Sequence, residues 1–207
     1  MMNFVKRKWN KVYSVFFKKS KTKYYDEKKS LGIIIGSNSF IEKPKTLEGA
    51  RYIQIKENSS IGHSSWLGAF DKYLNQSFEP KIIISNNVRI GNYACITAID
   101  EIFIDDGCLL SEYVYISDHY HGFDPTLNTS PNNQPLFSKG KVKIGENTFI
   151  GYRVTILSGV ELGKNCVVGS HSVVTKSFPD YSMIAGVPAK LIKTYNFEKQ
   201  CWQNENH

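Results

Sequence analysis

The chain has no uninterrupted apolar run approaching the roughly eighteen residues that a membrane-spanning helix needs, and no continuous apolar stretch follows its basic N-terminus as a secretory signal would require. Cysteine is scarce. The four, Cys95, Cys108, Cys166 and Cys201, stand far apart, form no CxxC pair and fit no zinc-ligand spacing, so they read as reduced thiols used for packing. These absences together lead us to expect a cytoplasmic protein. A basic body is lacking as well. The net charge is +7, yet ten of the 26 Lys and Arg lie in residues 1–29 beside two acids, leaving sixteen against seventeen acids in the rest. A near-neutral body offers nucleic acid no footprint, and the basicity belongs to a leading segment.

What the chain does have is a period of six. From Ile144, aliphatic residues recur in phase at Ile150, Ile156, Leu162, Val168 and Val174, and glycine follows four of them at Gly145, Gly151, Gly163 and Gly169. The spacing returns upstream as Ile55, Ile61, Leu67, then Ile84, Ile90, Ile96, and after a two-residue slip as Ile104, Leu110, Ile116, with Ile35-Gly36 opening the series. Six fits neither the 3.6-residue period of a helix nor the unbroken alternation of a long strand. It fits an all-β solenoid in which each hexapeptide makes one short strand and one corner. Three hexapeptides close a triangular coil, and stacked coils bury a column of Ile, Leu and Val. About six coils are expected. Gly, Asn and Asp after the aliphatics suit corners where the backbone bends sharply.

The register breaks at "SDHYHGFDPTLNTSPNNQPLFSKG", residues 117–140. A solenoid tolerates such an excursion at a corner, because the chain leaves and rejoins at neighbouring edges. Pro125, Pro131 and Pro135 are expected to prevent regular pairing inside the loop. Long loops of this kind carry function, and this one opens with His119 and His121.

The hexapeptide register and the run "IGENTFIGYRVTILSGVELGKNCVVGSHSVVTKSFPDYSMIAGVPAKLI" resemble the hexapeptide acyltransferase family over roughly residues 80–193. The similarity is to its sugar O-acetyltransferase branch, which includes galactoside and maltose acetyltransferases and enzymes that acetylate bacterial surface polysaccharides. The resemblance implies a left-handed parallel β-helix, a homotrimer and acetyl-CoA as co-substrate. It implies direct acetyl transfer to a sugar hydroxyl, with the histidine at the start of the loop, here His119, as general base. An imidazole exchanges protons near neutrality and suits that work. Either Asp118 or a backbone carbonyl would hold its other nitrogen. His121 would orient the acceptor, stack on it or face solvent.

For the coenzyme, the resemblance carries contacts onto Tyr152, Ser170, Thr175, Lys176, Ala185, Lys190 and Lys193. Lysines stand at 190 and 193 where close sugar acetyltransferases have arginines, and a tyrosine at 152 where small residues are usual. On the acceptor side the candidates are Asn92, Tyr120 and Phe123, the two rings either stacking on a sugar or packing the loop. His63 and His171 fall at corners without an evident partner and read as structural, and His207 is terminal. No metal is expected.

Residues 1–30 read as a basic amphipathic helix with Val5, Trp9, Val12, Tyr13, Phe16 and Phe17 on one stripe. It would either cap the first coil or bind peripherally, through residues 1–25, to the inner face of an anionic membrane. Residues 31–195 form the expected β-helix domain, and 196–207 a tail, with short helical segments expected at both ends. Competing functions are N-acetylation of an amino-sugar nucleotide, antibiotic acetylation and a zinc lyase on the same scaffold. A non-enzymatic structural β-solenoid would show a flat ladder of identical residues along one face, and none is visible in the sequence.

Overall fold

The structure, a computed structural model, describes residues 32–204. Six coils follow one another. The first holds β1 (Ile34–Ile35), β2 (Phe40–Ile41) and β3 (Thr46–Glu48), and the second β4 (Ile53–Ile55), β5 (Ser60–Ile61) and β6 (Trp66–Ala69). An excursion bearing the hairpin β7 (Lys72–Tyr73) and β8 (Gln76–Ser77) precedes the third coil, β9 (Lys81–Ile84), β10 (Arg89–Ile90) and β11 (Cys95–Ala98). The fourth is β12 (Glu101–Ile104), β13 (Leu109–Leu110) and β14 (Tyr115–Ser117), after which the main loop leaves with β15 (Tyr120–His121) and β16 (Leu136–Phe137). Then come β17 (Val142–Ile144), β18 (Phe149–Ile150) and β19 (Thr155–Ile156), and finally β20 (Glu161–Leu162), β21 (Val167–Val168) and β22 (Val173–Val174).

Corresponding strands of successive coils pair in parallel, giving three faces: β1-β4-β9-β12-β17-β20, β2-β5-β10-β13-β18-β21 and β3-β6-β11-β14-β19-β22. We refer to them as the first, second and third faces. The in-phase aliphatics are register partners. On the third face Leu67, Ile96, Ile116, Ile156 and Val174 stack one above another, each fully buried. Burying one such side chain is worth about 1.5–3 kcal/mol, and the six-residue period is therefore the record of what the prism axis excludes from water.

Three expectations are corrected here. The loop does contain regular pairing: β15 and β16 are antiparallel, with Tyr120 opposite Phe137 and His121 opposite Leu136, because none of its prolines falls within those four positions. The C-terminal end is not helical. β23 (Ser182–Gly186) extends the second face in parallel with β21, then β24 (Ala189–Asn196) and β25 (Cys201–Asn204) add antiparallel strands. The "LIKTY" run has the β-branched and aromatic residues of a strand, and the edge of β23 offers its backbone groups partners. Residues 196–204 thus belong to the sheet rather than to a tail. The N-terminal helix expected over 1–30 lies outside the described residues, as does His207.

Candidate active site

β14 ends at Ser117, and Asp118 bends the chain out of the third face. The Asp118 carboxylate is fully buried. Its Oδ1 accepts from Ile99 N (2.9 Å) and Oδ2 from Asp100 N (2.9 Å), both on the preceding coil. Two converging amides satisfy a carboxylate as an acceptor only, so the third contact, Oδ1 to His119 Nδ1 at 2.9 Å, takes a proton from the imidazole. Nδ1 carries the hydrogen, and Nε2 of neutral His119 keeps its lone pair. The His119 side chain retains 11% of its exposure while Asp118 has none, which leaves one edge of the ring open to a substrate and its anchor closed to water.

The exit is pinned from behind. Ser138 Oγ and Ser158 Oγ each donate to Asp118 O at 2.6 Å, joining the loop's departure, its return and the next coil at one carbonyl. Ser158 Oγ in turn accepts from Lys139 N at 2.7 Å. Phe70, at the root of the 70–80 excursion, presents itself edge-on to His119 with centroids 6.0 Å apart.

That excursion was not anticipated. Its only signal in the sequence is the broken phase between Leu67 and Ile84. It docks on the main loop through Gln76, whose Nε2 donates to Leu136 O (3.0 Å) and whose Oε1 accepts from Leu136 N (2.7 Å). Tyr73 reaches His121 from the same hairpin. Inside the loop, buried Gln134 ties Asp124 N, Asp124 O and Thr129 O together. Asp124 caps the turn at Thr126, and those two hydrogen bonds hold its carboxyl below the usual range.

The other candidates fall on different parts of the prism. Tyr120, in β15 between the two histidines, packs its ring against Phe123 (5.9 Å) and stacks on Phe137 (6.1 Å). Alternation along β15 sends it to the side opposite His121. Asn92 sits at the corner between the second and third faces, its Nδ2 donating to Glu112 Oε1 (2.7 Å) and its Oδ1 accepting from His63 N (3.1 Å). Within the chain these bonds tie three coils together, away from the loop.

The same corner carries a column of rings: His63 on Tyr93 (5.1 Å), Tyr93 stacked on Tyr113 (4.6 Å), Tyr113 on Tyr152 (5.6 Å) and Tyr152 on His171 (5.5 Å). Arg153 lies over both Tyr113 and Tyr152. His63 and His171 therefore do have partners, as the two ends of an aromatic column, and a ladder exists that the sequence did not reveal.

The coenzyme candidates divide between two corners. Tyr152 N donates to Ser170 Oγ (3.2 Å), and Gly169 lies so close to Ala185 that a side chain there would meet its Cβ at 2.9 Å. Ala185 pairs with Lys190, and Lys193 with Met183. Exposed Thr175 and Lys176 follow β22 at the other edge of the third face, the edge from which His119 emerges two coils earlier. Among the described residues none of Lys176, Lys190 and Lys193 forms an ion pair, although Lys176 Nζ lies 5.5 Å from the centroid of the Phe178 ring; ammonium groups without a carboxylate partner can meet the phosphates of a coenzyme. Among the described residues no group of three or more metal-ligating side chains is gathered.

Comparison with known proteins gives this arrangement its family. A family model described as "Bacterial transferase hexapeptide (six repeats)" matches residues 141–176. The chain is 37% identical over 158 residues to the protein named "Putative lipopolysaccharide biosynthesis O-acetyl transferase WbbJ" of Escherichia coli (strain K12), covering 73% of this chain and 76% of that one. It is 31% identical over 146 residues to the galactoside O-acetyltransferase of the same strain, covering 67% of this chain and 64% of the relative. Among solved structures, a maltose O-acetyltransferase from Clostridium difficile 630 superposes with a TM-score of 0.54 at 25% identity, over 91% of this chain and 85% of that one. AntD, an N-acyltransferase from Bacillus cereus solved with dTDP and 3-hydroxybutyryl-CoA, shares the fold with a TM-score of 0.68 at 22% identity, over 85% of this chain and 92% of its own. With three quarters of WbbJ spanned and the repeat register matched, the chain belongs to the hexapeptide-repeat bacterial transferase family and is an acyltransferase.

Proposed function

We propose that the protein transfers acetyl from acetyl-CoA to a sugar hydroxyl of a bacterial surface polysaccharide or its precursor, with His119 as general base. The observation that carries this reading is the Asp118–His119 pair at 2.9 Å, which leaves Nε2 as the free acceptor at the mouth of the loop. In the reaction, Nε2 takes the proton of the attacking hydroxyl as its oxygen bonds to the thioester carbonyl carbon. The imidazolium so formed is stabilised by the Asp118 carboxylate and returns the proton to the leaving thiolate as the C–S bond breaks. No acyl-enzyme is needed.

Tyr152, Ser170, Thr175, Lys176, Ala185, Lys190 and Lys193 are the proposed coenzyme contacts, supported by the exposure of Ser170, Thr175, Lys176 and Lys190 and by three lysines without a carboxylate partner among the described residues. Asn92, Tyr120 and Phe123 are secondary acceptor candidates. A left-handed coil sense, a homotrimer and action on the cytoplasmic side of the membrane complete the reading. Acceptor oligosaccharides incubated with labelled acetyl-CoA test it. The wild type should label them, His119→Ala should turn over about 10²–10⁴-fold more slowly, and near-normal turnover would overturn the assignment.

A further inference from the structure

We infer that His121, oriented by Tyr73, is an acceptor-binding residue whose Nε2 accepts a hydrogen bond from a second hydroxyl of the sugar being acetylated. This rests on the reading of His119 as the base. Tyr73 Oη lies 2.6 Å from Asn132 O. A carbonyl only accepts, so the single phenolic proton is committed there. The contact of 3.2 Å between Tyr73 Oη and His121 Nδ1 is then a donation from the imidazole, with the proton on Nδ1. Neutral His121 is left with a bare Nε2, the state in which Asp118 leaves His119.

The two rings share a side of the loop. They are two residues apart, His119 at the exit from β14 and His121 in β15, so their Cα atoms lie within about 7 Å of each other. The 70–80 hairpin meets both, Phe70 edge-on to His119 and Tyr73 edge-on to His121 at 5.3 Å. Gln76 fixes Leu136, which is His121's partner across the β15–β16 pair, through both of its backbone groups. An exposed histidine is thus held in one tautomer by an element 48 residues away in sequence. Two imidazole acceptors at that spacing match two hydroxyls of one pyranose, each within about 2.6–3.2 Å of a ring nitrogen. One hydroxyl is activated, and the other sets the register of the sugar.

The test uses the full chain with labelled acetyl-CoA and a panel of methyl gluco-, galacto- and mannopyranosides with their monodeoxy derivatives. For the wild type, removing one particular hydroxyl other than the acetylated one should lower kcat/KM at least about tenfold. His121→Ala should raise the acceptor KM by a similar factor, leave the KM for acetyl-CoA unchanged and become indifferent to that hydroxyl. His121→Gln, whose Oε1 reaches the position of Nε2, should restore part of the discrimination. Imidazole ¹⁵N–¹H correlation spectra should place the His121 proton on Nδ1 in the wild type and release it in Tyr73→Phe.

A His121→Ala enzyme that keeps the wild-type preference among deoxy sugars, or a wild-type proton on Nε2, overturns the inference and leaves the base role of His119 standing. A wild type that labels no pyranoside removes the sugar-hydroxyl reading and this inference with it.

Discussion

Asp118 Oδ1 and His119 Nδ1 meet at 2.9 Å although they belong to adjacent residues, which in an extended strand point to opposite faces. They meet because the strand ends at Ser117 and the amides of Ile99 and Asp100 draw the carboxylate inward across the coil below. The imidazole follows, anchored through one nitrogen and open at the other.

Replacing Asp118 by Asn tests that anchor. An Asn has one carbonyl oxygen for three donors, so at least one of the Ile99 and Asp100 amides loses its acceptor. The amide side chain can also donate to Nδ1 and move the imidazole proton to Nε2. We expect kcat to fall by about 10³–10⁴-fold, in the manner of a tautomer error, and stability by about 1–3 kcal/mol from the unsatisfied amide. Steady-state rates and thermal melts on the same preparation check both. An Asp118→Asn enzyme with wild-type kcat would show that His119 needs no proton on Nδ1.

The hairpin that carries Phe70 and Tyr73 is rooted by Asp71, which accepts from Tyr52 Oη at 3.0 Å and from Arg51. Tyr52's hydrogen bond and the Arg51 guanidinium hold its carboxyl below the usual 3.8. A carboxylate lowered by folding contributes stability that is fully present above the unfolded value and disappears as pH falls through the folded one. The hairpin should therefore stay docked throughout the neutral and mildly acid range and loosen only below about pH 3.8. Tyr73 ring signals followed by NMR between pH 7 and pH 3 report this. Loosening already near pH 5 would assign the latch to another group.

The residues that were legible in the sequence are those whose environment is set by the repeat itself. Ile116, Ile156 and Val174 had to be apolar because they are register partners on the third face and each faces the same axis, and His119 stood out because it follows the last in-phase residue before the break. Tyr73 and Gln76 were not legible. Their partners lie 48 to 60 residues away, across the gap between coils two and four, and no local pattern encodes such a contact. The column from His63 to His171 was hidden for a related reason: the two insertions make its intervals unequal, although in space the rings are consecutive. For Asn92 the sequence does not separate two roles: an asparagine that ties neighbouring coils together at a corner, as Asn92 does, looks the same in sequence as one that binds a ligand.

The cysteines separate by exposure. Burial pushes the Cys108 thiol up to about 12, and its Sγ donates to Gly145 O. At pH 8 about one molecule in ten thousand would carry that thiolate. Burial also raises Cys95 and Cys166. Cys201 is exposed on β25, so it was not the packing residue the sequence suggested. Iodoacetamide at pH 8 followed by peptide mass spectrometry should modify Cys201 first and spare Cys108 and Cys166 until denaturant is added. Rapid labelling of Cys108 in the folded protein would mean that coils four and five part readily.

How tightly the fifth coil is held to the sixth is a question for Gly145→Ala. A Cβ at this corner would lie 2.5 Å from the carbonyl carbon of Gly163 and 2.6 Å from its oxygen, both backbone atoms that no rotamer change can move. The fifth and sixth coils must then separate, lengthening the 2.8 Å bond from Gly145 N to Leu162 O and the 3.0 Å bond from Lys143 N to Val160 O. Overpacking of this kind costs about 1–3 kcal/mol, which for a domain of this size lowers Tm by roughly 2–12 °C. Glu146→Ala, one residue on and exposed, is the control and should stay within about 0.5 kcal/mol of wild type. If the two variants melt together, the glycine that follows many of the in-phase aliphatics does not set the spacing of the coils, and bending of the backbone alone must account for its recurrence.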